Sequence, residues 1–290
     1  MIVKKVYAVY YSATGTTQKI ASFIAENVAK KLNVECEKYN YSLPKRREKV
    51  LEFKENDLVI CGTPTYAGRV PNIMLPYLKN NIKGNGALAI PVVLFGNRNF
   101  DDALIELRNI LEDNGFHTIA GAGFVGEHAF SYTLGANRPD EKDMQIASDF
   151  VEKIVEKIRT VENIPAEPIK VRGNEPIRPY YTPRDRHEHA IDILKVKPKV
   201  NLSKCTDCKI CAHVCPMGSI DFNDVSKYVG ICTKCGACIK KCPEKCRYYD
   251  DEGYLYHQHE LEEQFERRAE PEIFYMWFFV FYNLSFKYIF

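Results

Sequence analysis

The feature that most constrains this chain is a cysteine pattern that occurs twice. CTDCKICAHVCP, starting at Cys205, aligns with CTKCGACIKKCP, starting at Cys232, as an internal repeat of 27 residues. Each copy reads C-x2-C-x2-C-x3-C-P, and eight of the eleven cysteines lie within the two copies. Three thiolates at this spacing can wrap one face of an iron–sulfur cube while the fourth reaches elsewhere. A structural disulfide framework would not cluster in this way. The competing reading is a pair of zinc sites, which normally use two C-x2-C hooks or a hook with histidines and have no need of the third cysteine or the following C-P. With so little apolar sequence around the repeat, the bound metal must supply much of its stability. Cys36, Cys61 and Cys246 stand outside the pattern and read as small buried thiols.

The repeat occupies only the last third of 290 residues, so a second domain is expected before it. A composition of 46% hydrophobic and 27% charged residues excludes collagenous, disordered and multi-span membrane chains. Forty basic and 38 acidic side chains nearly cancel, and no basic stripe is interleaved with aromatics, so no nucleic-acid partner is expected. The N-terminal MIVKKVYAVYYS carries two lysines inside an apolar strand, not a signal peptide's charged and then apolar regions. The expected compartment is the reducing cytoplasm.

Residues 1–160 alternate short apolar runs with amphipathic stretches, the pattern of an open, doubly wound parallel sheet with helices on both faces. Strands are predicted at 3–10, 34–39, 57–61, 88–95 and 118–124, and helices at 16–31, 71–79, 101–114 and 140–159. Residues 161–200 carry six prolines and no sustained period, and read as a mostly extended linker that wraps a surface, running along the interface if the domains fold back on each other. Residues 201–250 hold the cysteine repeat, and 251–290 form a C-terminal extension. Its last stretch, 273–290, has ten aromatics and the single charge of Lys287, a composition suited to peripheral membrane or subunit contact; the alternative is an extension without a role or one that folds back onto the domain.

Three loops belong at the carboxyl edge of such a sheet, beside its switch point, where ligands bind. The first, Ser12-Ala13-Thr14-Gly15-Thr16-Thr17, offers hydroxyls and free amides at a helix N-terminus, which suits a phosphate monoester. It lacks the GK[ST] ending of a nucleotide triphosphatase loop. The second runs from Gly62 to Pro71 and includes Pro64, Thr65, Tyr66, Ala67 and Gly68; the third includes Gly96, Asn97, Arg98 and Phe100. Tyr66 and Phe100 are candidates to flank a planar ring, Gly68 to let a peptide beside it flip, and Gly96 to allow close backbone approach. Gly121 to Gly126 match G-x-G-x-x-G, but no helix follows, so a dinucleotide site is not expected there. The Lys45-Arg46-Arg47 run reads as a solvated loop.

The repeat resembles bacterial-type ferredoxins carrying two 4Fe-4S clusters. In that arrangement each fourth cysteine ligates the other cluster. Carried over, Cys205, Cys208, Cys211 and Cys242 would hold one cluster, and Cys232, Cys235, Cys238 and Cys215 the other. The three loops resemble the flavodoxin family, whose first loop binds the phosphate of FMN and whose next two enclose its isoalloxazine. Together they resemble flavodoxin-like proteins fused to a C-terminal two-cluster ferredoxin, found mainly in anaerobic microbes. The resemblance implies a five-stranded flavodoxin-like α/β sheet followed by a ferredoxin-like α+β domain. It also implies FMN, two clusters and electron relay to a redox partner protein; the alternative is an oxidoreductase reducing a small-molecule acceptor at FMN. One departure is the charge of residues 201–250, with eight basic and five acidic side chains, where free ferredoxins of this type are strongly acidic.

Overall fold

The structure is a computed structural model, and it describes residues 1–164 and 167–275. Five strands, β1 (Lys5–Tyr10), β2 (Glu35–Asn40), β3 (Asp57–Pro64), β4 (Leu88–Phe95) and β5 (Ala120–Val125), pair in parallel in the order 2-1-3-4-5. The central β3 and β4 are apolar on both faces and buried along almost their whole length, as a sheet covered on both sides requires. On one face α1 (Thr16–Leu32) and α4 (Glu141–Thr160) bury Ile20, Ile24, Val28, Phe150 and Ile154. On the other, α2 (Leu75–Asn81) and α3 (Ala103–Asp113) bury Tyr77, Leu104, Leu107 and Leu111. The helix expected at 71–79 begins later, because residues 72–74 form a turn of 3-10 helix first.

The cysteine repeat forms a small unit with two short helices, α5 (Ile210–His213) and α6 (Ala237–Lys240). A two-stranded antiparallel ladder of β6 (Lys199–Val200) and β7 (Arg247–Tyr248) joins its ends. The repeat is written into the backbone as well as the sequence. Asp207 and Lys234, Lys209 and Gly236, and Gly218 and Lys245 are equivalent pairs, and all six have positive φ between 48° and 73°. Residues other than glycine adopt this left-handed conformation at four of the six positions.

Residues 167–198 do not bridge the two units freely. Ile169 is buried over β5, Tyr180 Oη donates to the Val70 carbonyl at 2.7 Å, and Tyr181 N donates to the Ala67 carbonyl at 2.9 Å. Asp102, itself buried, accepts from Asn174 and from the amide and guanidinium of Arg178. The segment is a strap across the α2–α3 side of the sheet.

After the cysteine unit, α7 (Glu252–Gln264) leads the chain back to the sheet, where β8 (Glu272–Tyr275) pairs antiparallel with β5. The sequence expectation of five strands is therefore extended by an edge strand, and Ile273, Phe274 and Tyr275 belong to the fold rather than to a tail. The remainder of the expected aromatic tail, 276–290, lies outside the described residues. Among the described residues no helix is long and apolar enough to cross a membrane.

Candidate functional site

The sequence-predicted cysteines come together as two quartets. Cys205, Cys208, Cys211 and Cys242 line one cavity, cavity I; Cys215, Cys232, Cys235 and Cys238 line the other, cavity II. The thiols are spread round the cavity walls: among the described residues no three His, Cys, Asp or Glu side chains are grouped as for a single metal ion. Four thiols on each wall, three of them at C-x2-C-x2-C spacing, fit an iron–sulfur group. Burial pushes the bare thiols of Cys235 and Cys238 up to about 12, so a thiolate set there needs a cationic occupant to be stable. Amides point at the sulfurs, with Ser219 N and Lys234 N each 3.4 Å from Cys215 Sγ and Cys232 Sγ. The Arg247 guanidinium, 3% exposed, donates to the Val225 carbonyl and Tyr228 Oη and lies 3.7 Å from Cys211 Sγ. Cys246 is buried as expected, but it is also a fifth thiol on the wall of cavity I, 3.4 Å from Cys242 Sγ.

The first loop leaves β1 and enters α1 through Gly15, whose φ of 115° is open to glycine and which has nothing within 4 Å of the place of a Cβ. Ser12 Oγ accepts from Gln18 N at 3.0 Å, and Ser12 N donates to Ser42 Oγ at 2.7 Å, so the loop is braced at its base. Among the described residues the amides of Gly15, Thr16 and Thr17 have no acceptor, and the first turn of α1 holds no acidic side chain. Ala13 and Thr17 are buried, while Thr14, Gly15 and Thr16 are partly open. Such a helix start favours an anion through its free amides and dipole.

The second and third loops depart from expectation in several places. Pro64 closes β3, and Thr65 is fixed by its amide to Leu94 O, leaving its buried hydroxyl without a partner. Tyr66 Oη meets Tyr11 Oη at 3.0 Å. Gly68 has φ +79°, and a Cβ there would meet Asp101 Oδ2 at 2.5 Å, so glycine is required by the turn itself. Its carbonyl accepts from Asp102 N and that of Ala67 from Tyr181 N, so the peptides expected to flip are already engaged. At Gly96 the close approach is real, but it is made by the His128 ring, 2.3 Å from the place of a Cβ. Asn97 does not face a ligand cleft: its amide side chain donates to the Phe265 and Arg267 carbonyls and accepts from Ala269 N. Phe100 does not stand at an open edge either. It is fully buried, with Gly123 against its ring and the Arg172 guanidinium 4.0 Å from its centroid. Arg98 pairs with Asp101 and lies over the Tyr181 ring.

The rings that gather beside this loop come instead from distant segments: His128 and Phe130 after β5, Tyr181 from the strap and His257 from α7. No local sequence signal marks them, since each is brought in by tertiary packing. Arg47 is a further correction. It is no solvated charge, because Nη2 donates to the Pro216 carbonyl of the cysteine unit at 2.6 Å and Nη1 to Ser42 O at 2.6 Å.

Arg47 is one of several ties that seat cavity II on the sheet edge. Lys240 Nζ donates to the Glu127 carboxylate and to the carbonyls of His128 and Ser131 at 2.7 Å each. Ala237 is fully buried in the same apolar cluster as Tyr11, Tyr41 and Val70, and Cys235 and Tyr66 pack against that cluster. Burial first, and then the nearby Cys235 sulfur, hold the Tyr11 phenol well above its ordinary value.

Comparison with known proteins agrees with this division. A family model for the flavodoxin domain matches residues 7–101, and one for the 4Fe-4S dicluster domain matches residues 197–243. A pyruvate synthase subunit, PorD, of Methanothermobacter marburgensis is 41% identical over 49 residues, which are 17% of this chain. The matched part spans 59% of that relative's length. Among solved structures, a flavodoxin from the domain Archaea has 17% identity and a TM-score of 0.39, covering 53% of this chain and 99% of its own. A mutant flavodoxin of Fusobacterium nucleatum bound to flavin mononucleotide has 20% identity and a TM-score of 0.34, covering 53% and 98%. The chain is thus a flavodoxin domain followed by a C-terminal 4Fe-4S dicluster domain.

Proposed function

We propose that the chain is an electron-transfer protein of the reducing cytoplasm that relays electrons between FMN in its flavodoxin domain and two 4Fe-4S clusters in cavities I and II. The observation that carries this reading is the seating of cavity II: its Cys235 wall packs against the same apolar cluster as Tyr11 and Tyr66, at the edge of the sheet where the flavodoxin loops lie. When bound, FMN supplies one- and two-electron chemistry and each cluster one-electron chemistry.

The residues present fit these groups in different degrees. Ser12, Thr14, Gly15, Thr16 and Thr17 form the anion cradle for the phosphate. Toward the ring, the Thr65 hydroxyl is the polar group without a partner; Tyr66 is bonded to Tyr11 and Arg98 to Asp101, and Phe100 and Asn97 are committed elsewhere. The two cysteine quartets would hold the clusters, with cavity II proximal to the flavin domain and cavity I distal. Lys240 and Arg47 hold the module in register.

The alternative, direct reduction of a small acceptor, asks for open access to the ring. The strap and α7 lie over both ring-side loops, through Tyr181 N on Ala67 O and Asn97 on the residues after α7. That covering favours exchange with a partner protein. An anaerobic redox titration followed by optical and EPR spectra tests the proposal. Flavin absorbance together with two magnetically interacting reduced centres is expected; clusters without flavin in fully reconstituted protein would sink the relay.

A further inference from the structure

The module has two ends, and they differ. Pro216 on the wall of cavity II is tied to the flavodoxin domain through Arg47, whereas none of the residues lining cavity I carries such a tie. All eleven cysteines are described, and Cys208, on the wall of cavity I, is the exposed one. Leu202, whose carbonyl accepts from the amide of Cys205 on the same wall, is 64% exposed. The β6–β7 ladder and the Asn201 N to Cys246 O bond bring residues 200–205 and 242–247 together, so that Lys204 and Lys245 flank the cavity.

The charges of this face do not cancel. Asp207 is held by Lys209 and Asp250 by Lys199, each at 2.7 Å. Among the described residues Lys204, Lys241 and Lys245 have no carboxylate partner, and Glu244 is the carboxylate here with no cation. The segments that carry this wall of cavity I thus hold an exposed cysteine, an exposed leucine and a surplus of ammonium groups. An apolar centre with a complementary charged rim is how transient protein interfaces gain orientation and speed.

We propose that the face around Cys208, with Leu202 at its centre and Lys204 and Lys245 on its rim, is the docking site of an acidic one-electron carrier protein. The inference rests on the relay reading above. In the exchange one electron passes between the carrier's redox centre and the cluster in cavity I; one is oxidised as the other is reduced, and no bond or proton changes. An anionic membrane would also answer to lysines, but a single exposed leucine lacks the continuous apolar face that surface binding of a membrane requires.

The test uses the full chain, reconstituted anaerobically, and a free two-cluster ferredoxin of carboxylate-rich surface as the probe. Calorimetric titration should show binding that weakens steeply between about 20 and about 200 mM salt. Reversing the rim with Lys204→Glu and Lys245→Asp should weaken low-salt binding by at least about tenfold, with Lys204→Gln and Lys245→Asn falling between. Asp and Asn suit position 245, where φ is +48°. Unchanged cluster EPR in the variants shows that the module is intact. Loaded variants that bind like the parent would overturn the docking site while leaving the relay standing. So would a preference for a basic cytochrome c, or loss of binding only to phosphatidylserine vesicles. Absence of cluster and flavin signals from the reconstituted parent would instead overturn the relay, and the docking site with it.

Discussion

At the scale of single residues, His128 shows how a position can be legible in part. Gly96 in the sequence signals that something approaches the backbone closely, but not what; the structure supplies an imidazole rather than a cofactor. The His128 ring accepts from Phe130 N at Nδ1, and its carbonyl receives the Lys240 ammonium. Burial first, then Lys240, with His257 and Arg98 also facing it, push its pKa down to about 3. The imidazole is therefore neutral in the fold, while in the unfolded chain it binds a proton below about pH 6.5. Its contribution to stability is complete above that value and is lost as pH falls from there toward 3. Because the ring is partly reached by solvent, the loss at about pH 5 should be at most about 2 kcal/mol. Denaturant unfolding at about pH 7.5 and 5 should show this slope in the parent and a flatter one in His128→Asn. Equal slopes would refute the assignment.

At the scale of elements, the five parallel strands and four helices were legible because each carries its own period of apolar residues. The strap and β8 were legible only as a segment able to wrap a surface and an extension able to fold back; their partners were not, because their stability comes from pairing with remote residues. β8 is an aromatic run that reads as an appendage until β5 offers it an edge. Tyr275 there packs on Phe150 at 5.5 Å between centroids, and Tyr275→Ala should lower unfolding stability by about 1–2 kcal/mol in thermal or chemical denaturation. No change would mean that β8 adds nothing to the sheet. The strap depends on Asp102. Burial alone would raise its carboxyl, but hydrogen bonds from Arg178 and Asn174 outweigh it and hold the group well below the carboxylate range. This contribution is present above about pH 4 and fades as pH falls through the folded value. Asp102→Ala should cost about 2 kcal/mol, discounted for the half-exposed Arg178, and should speed tryptic cleavage after Arg172 by severalfold. Parent-like cleavage would show that the strap is held by Ile169 and Tyr180 without it.

At the scale of the whole molecule, the identity of the two units was legible and their mutual placement was not. Cysteine spacing is a local record of chemistry, whereas the interface is made by Lys240 and Arg47, residue types that sequence reading assigns to solvent. On the relay proposed above, the placement is the functional quantity, because electron exchange depends on how closely two centres are held, and a shift of about 1 Å in a reacting geometry can cost about a hundredfold in rate. Lys240 is suited to control it. It leaves α6 between Cys238 and Cys242, one from each quartet, and its ammonium fills three acceptors on the turn after β5. Lys240→Met keeps the apolar stem but leaves the Glu127 carboxylate and two carbonyls facing it without their donor. Cluster EPR and flavin absorbance should be unchanged, while the rate between flavin and clusters, read by flash photoreduction, should fall at least about tenfold. Lys240→Arg, which keeps the charge, should recover part of it. A parent-like rate in Lys240→Met would mean that the apolar contacts of Cys235, Ala237 and Tyr66 alone hold the relay in register, and that the polar ties serve stability only.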